Sequence, residues 1–357
     1  MWKYILKRVG LAFVTAFIIL SLTFILTQLL PFEKPMAFKE NEVYGYYEKQ
    51  VSLGYVLRFE EEQTDYGDRL YKHTIEITND LGKVETKEIH YYRVPVMKQY
   101  GSWLKNIVTK WDWGVSIKVS PGLSATTIIG KRIPVSMKLN IISTLLAVPL
   151  GILLGIVAAL KKNKKTDTII STSVMILISV PSFVLITLLI YVFCFIDPQN
   201  PILPSLWPLE TDPLKEKILG YIIPIIALSL GSIAGYCRFV RAELCEVMSS
   251  EYLLLARTKG LTKRQAIIRH ALRNAMVPVV PAILAEFLSI MGGSMILENI
   301  YGIPGIGTLF VEALNGKDYS VLFVDMAIFT TFGLLAGVLL DISYGFIDPR
   351  IRMGAKK

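Results

Sequence analysis

Three cysteines and three histidines are all that a chain of 357 residues offers to thiol or metal chemistry. Cys194, Cys237 and Cys245 show no CxxC spacing and no neighbouring histidine, and His73, His90 and His270 are scattered, so no metal, redox or disulfide framework is implied. A glycine-rich loop ending in Lys-Ser or Lys-Thr is missing as well, so any ATPase behind this protein's work is another chain. Charge is also scarce, at 19% of residues against 53% hydrophobic ones. That balance does not suit a single soluble core and points to an integral membrane protein.

The hydrocarbon layer is roughly 30 Å thick and takes about 20 apolar residues to cross as a helix. Six stretches qualify: Val9–Leu30, Leu139–Leu160, Ile169–Ile196, Ile218–Tyr236, Met276–Leu297 and Val321–Phe346. The first follows Lys3, Lys7 and Arg8, as a secretory signal would, but its apolar run is too long for a signal core and reads as a retained anchor. Pro149, Pro181, Pro224 and Pro281 fall inside spans, where kinks are tolerated.

Lysine and arginine sort the loops between the two sides. The N-terminal tail, the loop 161–168, the interruption 237–275 and the tail from Ile347 carry net charges of +3, +3, +5 and +3. The alternating segments 31–130, 197–217 and 298–320 carry −1, −2 and −2. Basic loops stay in the cytoplasm, so both termini are expected there. The charge is spread over four membrane-adjacent segments, not gathered on one face, which argues against a nucleic-acid partner.

Residues 33–130 are too long for a simple loop and are expected to fold on the exterior side. His73–Thr78 and Val84–Tyr92 alternate around the turn residues of 79–83, the pattern of a β-hairpin. A surface cap and a docking platform are both open readings of this segment. Trp103, Trp111 and Trp113 are expected at headgroup depth, and Ser124–Arg132 with Ile133 and Pro134 reads as a short surface helix leading into the second span.

The interruption from Glu251 to Val280 is the most informative stretch. Its six Lys and Arg from Arg257 to Arg273 cannot lie in hydrocarbon. One helix is expected over Glu243–Lys259, ended by Gly260, which accepts a left-handed backbone. A second starts near Thr262, which forms a capping box with Gln265. Leu253, Leu254, Leu255 and Ala256 beside charged neighbours make an amphipathic element able to sit in a groove of another protein. Glu286, Asp325 and Asp341 are acids inside spans, and two readings stay open for them: they line a polar path, or they lie near an interface and stay wet.

Glu251, Ala256, Gly260 and the downstream RHALRNAMVP resemble the EAA loop of ABC-type importer permeases, closest to the peptide/nickel family in its oligopeptide and dipeptide permease B branch. Tyr252 stands where the motif names its first alanine, as is usual in the peptide branch. Leu297–Gly307 (LENIYGIPGIG), Asp318 with Tyr319, the terminal Asp348–Arg352 and the opening WKYILKRVG agree with the same family, whereas most of 33–110 is not covered.

The resemblance implies an all-α integral membrane fold of six transmembrane helices in the type I ABC importer arrangement, with a small extracellular α+β insertion. The expected division is an anchor over 1–32, an enlarged insertion over 33–130 and a permease core over 131–357 with the coupling loop 237–275. It implies a non-catalytic pore subunit of a bacterial plasma-membrane importer, with oligopeptides the first choice of cargo and dipeptides, nickel or another small solute the alternatives. The implied coupling residues are Glu251, Tyr252, Ala256, Lys259, Gly260, Leu261 and Arg264. The implied partners are a second permease subunit, two ATPase subunits that bind ATP and Mg, a substrate-binding protein and membrane lipid; no cofactor is expected in this chain. A membrane-anchored receptor or scaffold is the rival from another class, and a secondary transporter is disfavoured because no internal repeat is found.

Overall fold

The computed structural model describes residues 2–30, 40–66, 69–78, 84–289 and 294–347. The chain opens with helices α1 (Trp2–Leu29) and α2 (Glu40–Leu53), continues through strands β1 (Val56–Phe59), β2 (Tyr71–Thr78) and β3 (Val84–Arg93), and is helical from there on. The later helices are α3 (Val96–Lys110), α4 (Ala125–Leu160), α5 (Lys165–Ser179), α6 (Ser182–Ile190), α7 (Leu214–Gly220) and α8 (Ile222–Met248). They are followed by α9 (Glu251–Thr258), α10 (Lys263–Ala266), α11 (Leu272–Ser289), α12 (Met295–Tyr301), α13 (Ile306–Gly316) and α14 (Tyr319–Ile347). Two compact units result, one built mainly from Arg132–Thr308 and the other from Phe13–Lys131 with Leu309–Thr331.

Among the described residues, five helical stretches are long and apolar enough to cross a membrane: Ile5–Leu29, Ala125–Leu160, Leu214–Met248, Lys263–Leu288 and Tyr319–Ser343. The sixth expected span is not one straight helix, because α5 and α6 meet at 100°. Pro181 causes the break: it has no N–H to donate and drives the preceding residue out of helical geometry. Val180 accordingly sits at φ −87°, ψ 122°. The expected surface helix at 124–132 is also absent as a separate element, since α4 runs unbroken from Ala125 through Pro134 and Pro149 to Leu160. In the fifth span α11 ends at Ser289, short of the expected Leu297, which belongs to α12; residues 290–293 lie outside the described residues.

In the unit containing Phe13–Lys131, the expected hairpin is present, with β2 and β3 antiparallel from Tyr71 opposite Tyr91 to Thr78 opposite Val84. Its turn, 79–83, lies outside the described residues. The unanticipated β1 completes a sheet of order β1-β3-β2. Helix α2 packs on it through Tyr47, which joins Val56, Ile89 and Tyr91 in a buried cluster. The Tyr91 hydroxyl donates to Glu48 at 2.6 Å, and Lys49 pairs with Asp112 at 2.6 Å. Trp103 is not a headgroup anchor by itself: it is buried, stacked on Phe24 at 4.8 Å and edge-on to Phe323 at 5.5 Å. Trp111 remains exposed.

In the other unit, close packing is set by small residues. A Cβ at Gly151 would stand 2.6 Å from the Tyr236 Cβ, and one at Gly155 would stand 2.8 Å from the Cys237 carbonyl oxygen. Backbone cannot yield as a side-chain tip can, so α4 and α8 approach only through glycine. Gly155→Ala is expected to lower the melting temperature of the purified chain by the equivalent of about 1–3 kcal/mol of overpacking. Gly333→Ala, whose Cβ meets nothing within 4 Å, should not lower it.

Candidate functional site

Helix α8 continues past Tyr236 to Met248, so the helix expected over Glu243–Lys259 is two: the end of α8 and the separate α9. Ser249 and Ser250 make the break. Their hydroxyls donate back to the carbonyls of Glu246 at 2.8 Å and Val247 at 2.5 Å, satisfying groups that a continuing helix would have used. Ser250 then turns extended at ψ 149°, and α9 starts at Glu251.

Helix α9 has two faces. Leu253 turns inward and joins Ala159, Leu244, Ala266, Ile267, Ala271 and Ala275 in one buried cluster. Glu251, Tyr252, Leu254, Leu255 and Lys259 are exposed, with Ala256 half-buried between the faces. Beside Leu253 lies a cleft of about 250 Å³ bordered by Ser250, Glu251, Leu254 and Arg257.

The chain leaves α9 through Gly260 at φ +92°, where a side chain would be strained although a Cβ would touch nothing within 4 Å. The glycine is therefore required by backbone geometry, not by crowding within this chain. The expected capping box is formed: the Thr262 N–H donates to Gln265 Oε1 at 3.0 Å, and the Gln265 N–H donates to Thr262 Oγ1 at 3.3 Å. Leu261 is half-buried and Arg264 exposed. A π-helical turn at Ile267–Ala271 then joins α10 to α11. Glu251, Tyr252, Ala256, Lys259, Gly260, Leu261 and Arg264 thus share one compact loop.

The stem of that loop is clamped. Arg241 on α8 donates from Nε and Nη2 to the two oxygens of Asp167 at 2.6 and 2.8 Å. Asp167, at the start of α5, also accepts from the Asn163 N–H at 2.9 Å and the Ser171 hydroxyl at 3.2 Å. Nothing in the local sequence joins residues this far apart, and this pair was not anticipated.

The three acids inside spans fall in three different settings. Glu286 is half-buried, and the Tyr236 hydroxyl on the facing helix donates to the Ala282 carbonyl at 3.1 Å. Asp341 pairs with Arg8 at 3.1 Å. Asp325 is fully buried.

Two further carboxylates organise the stretches around LENIYGIPGIG and Asp318. Glu298, 2% exposed, accepts from the Ser136 hydroxyl at 2.7 Å and from the N–H groups of Ser294, Gly307 and Thr308 at 3.3, 2.8 and 3.2 Å. The glycines make room for it: a Cβ at Gly305 would collide with Glu298 and Ser136, and one at Gly307 would stand 2.6 Å from the Met295 Cα. Asp318 Oδ2 accepts from the Ser116 hydroxyl at 2.6 Å and from the N–H groups of Ile117, Lys118 and Val119 at 3.0 to 3.1 Å. Each acid is held by oriented backbone donors and a serine, with no cation required. The partners Ser116 and Ser136 carried no sequence signal.

A model of the family described as "Binding-protein-dependent transport system inner membrane component" matches residues 151–353. The chain is 36% identical over 272 residues to the oligopeptide transport system permease protein OppB of Escherichia coli K12, covering 76% of this chain and 85% of that one. It is 33% identical over 279 residues to the dipeptide transport system permease protein DppB of Bacillus subtilis 168, covering 78% and 87%. It is also 31% identical over 356 residues to DppB of Lactococcus lactis subsp. cremoris MG1363, covering 99% and 100%. That last alignment extends through the enlarged segment after α1, which is therefore not peculiar to this chain. Among solved structures, a chain of the MetNI methionine ABC transporter in inward-facing conformations matches with TM-score 0.50 at 16% identity, over 62% of this chain and 97% of that one, a likeness of fold.

Glu298→Gln would turn an amide NH₂ toward donors that need an acceptor. The expected cost is about 1–3 kcal/mol, read as a lower melting temperature of the purified chain. Ser136→Ala should show a smaller loss of the same sign, and an unchanged melting temperature in both would refute the carboxylate-centred turn.

Proposed function

The chain belongs to the family of binding-protein-dependent transport system inner membrane components, and from that premise we propose that it forms half of the pore of an ATP-driven importer of short peptides. The observation that carries the coupling part of this reading is helix α9, seated inward on Leu253 and presenting Tyr252, Leu254 and Leu255 outward. An apolar outer face on a polar loop needs a cover in water, and a groove on a partner supplies one. The basic balance of 237–275 favours the cytoplasmic side for this loop, where an ATPase subunit holding ATP and Mg would meet it.

In this mechanism a push or pull on α9 passes through the Leu253 cluster to α8 and α11 together, and the Asp167–Arg241 clamp carries α5 with α8. The spans then reorient about a central path, the other half of which is a second permease subunit. Of the acids in spans, Glu286 is the one proposed to face that path, while Asp325 and Asp341 hold the fold. An extracellular or periplasmic binding protein delivers cargo, and the sheet with α2 is proposed as its platform. Peptide cargo is supported by the names of the relatives; dipeptides, nickel or another small solute remain the alternatives.

Uptake of a radiolabelled tetra- or pentapeptide by cells lacking this chain tests the reading. Restoring the wild type should restore uptake. Gly260→Val or Glu251→Lys should insert normally yet lose about tenfold or more in rate, the scale of ~1.4 kcal/mol of lost coupling between sites. Uptake that ignores both variants would remove the coupling loop from the mechanism, and uptake that never needed the chain would move the cargo elsewhere or favour a receptor. Deleting roughly Glu40–Lys98 should raise the concentration of binding protein needed for half-maximal uptake more than it weakens ATPase binding.

A further inference from the structure

Helix α3 has a second face that the fold does not use. Gln99, Trp103 and Asn106 are buried, and the Asn106 amide donates to the Leu53 carbonyl at 2.8 Å. Away from that face, Met97, Gly101, Leu104 and Val108 repeat every four, three and four residues, so at 3.6 residues per turn they form one stripe, and Trp111 follows at the left-handed C-cap of the helix. Met97, Val108 and Trp111 are 70%, 80% and 68% exposed. Such a stripe of large apolar side chains facing water is a liability unless something covers it.

The depth of α3 identifies the cover. The Tyr100 hydroxyl is hydrogen-bonded to the Ser21 hydroxyl at 2.8 Å, and Trp103 stacks on Phe24 at 4.8 Å. Both partners lie inside the membrane-crossing stretch Ile5–Leu29. Twenty-five residues of helix span about 38 Å, only about 8 Å more than the hydrocarbon layer. Phe24 and Ser21 stand about 7.5 and 12 Å of helix rise below Leu29. A helix whose side chains reach residues so far inside a span lies itself at the boundary between acyl chains and headgroups.

Charge agrees with that depth. Helix α3 contains Lys98, Lys105 and Lys110 and no carboxylate. Lys98 and Lys105 fall on one flank of the apolar stripe, about 90° around the helix from it. An apolar face flanked by lysines is the arrangement of a helix lying in the plane of an interface, with long amine arms reaching phosphates.

The geometry points to α3 as a membrane-interface helix, its Met97–Val108 stripe and Trp111 in lipid and Lys98 and Lys105 on the phosphates of anionic lipids. It goes beyond the transport reading and does not depend on the cargo. The unit holding the part of α1 from Phe13 onward, the sheet and Asp318 is then fixed at the bilayer surface by lipid as well as by its spans.

The test uses the full chain in its assembled complex, reconstituted into phosphatidylcholine vesicles with and without phosphatidylglycerol. A nitroxide on Val108→Cys should be more accessible to oxygen than to an aqueous nickel chelate, whereas one on the exposed Glu61→Cys should show the reverse. Equal behaviour at the two positions overturns the proposal, as does a Val108 label shielded only when the binding protein is added, which assigns the stripe to a protein partner. Phosphatidylglycerol should raise the melting temperature of the wild type. In Lys98→Gln/Lys105→Gln the half-saturating fraction should rise by about fivefold per lysine, and an unchanged fraction would overturn the electrostatic half of the assignment.

Discussion

The packing of one short helix on the ends of its two neighbours is the interaction on which the functional reading depends. Leu253 is the inward contact of α9, and it closes a cluster drawn from α4, α8, α10, α11 and the turn between α10 and α11. Because protein interiors are close-packed and do not deform continuously, a helix seated in this way moves with its neighbours or not at all. The two serines before α9 and Gly260 after it free the helix from the axes of α8 and α11.

The same logic recurs at the two buried carboxylates. Glu298 and Asp318 each collect several backbone N–H groups and one serine hydroxyl, turning irregular backbone into a defined corner. Buried irregular backbone is costly unless its donors are satisfied, and a carboxylate with several lone-pair sites satisfies three of them at once. The glycines beside Glu298 are there because the carboxylate and the Met295 backbone occupy the space where a Cβ would stand.

Legibility followed the range of the interactions. Gly260, the Thr262–Gln265 capping box and the β2–β3 hairpin were readable because each is decided within a few residues. Ser136–Glu298 and Ser116–Asp318 are separated by 162 and 202 residues, so no local pattern announces them, although the family stretches contain both acids. Proline was ambiguous for a physical reason: Pro134, Pro149, Pro278 and Pro281 sit inside helices, while Pro181 ends one. The difference is whether surrounding structure supplies what the missing N–H leaves, and the residue type does not say. A surface helix was expected just before the second span, at 124–132; α3, fourteen residues upstream of α4, carries the interfacial pattern instead, and its outer stripe becomes visible only once its inner face is known.

The claim that α9 is the point where another subunit takes hold of this chain is tested most directly by photocrosslinking from its outer face. A benzophenone amino acid at Leu255, in the full chain in living cells, should form an adduct with a nucleotide-binding ATPase subunit, and the yield should change when ATP hydrolysis is blocked. Adducts confined to lipid, or to proteins that bind no nucleotide, would contradict the coupling role of the loop.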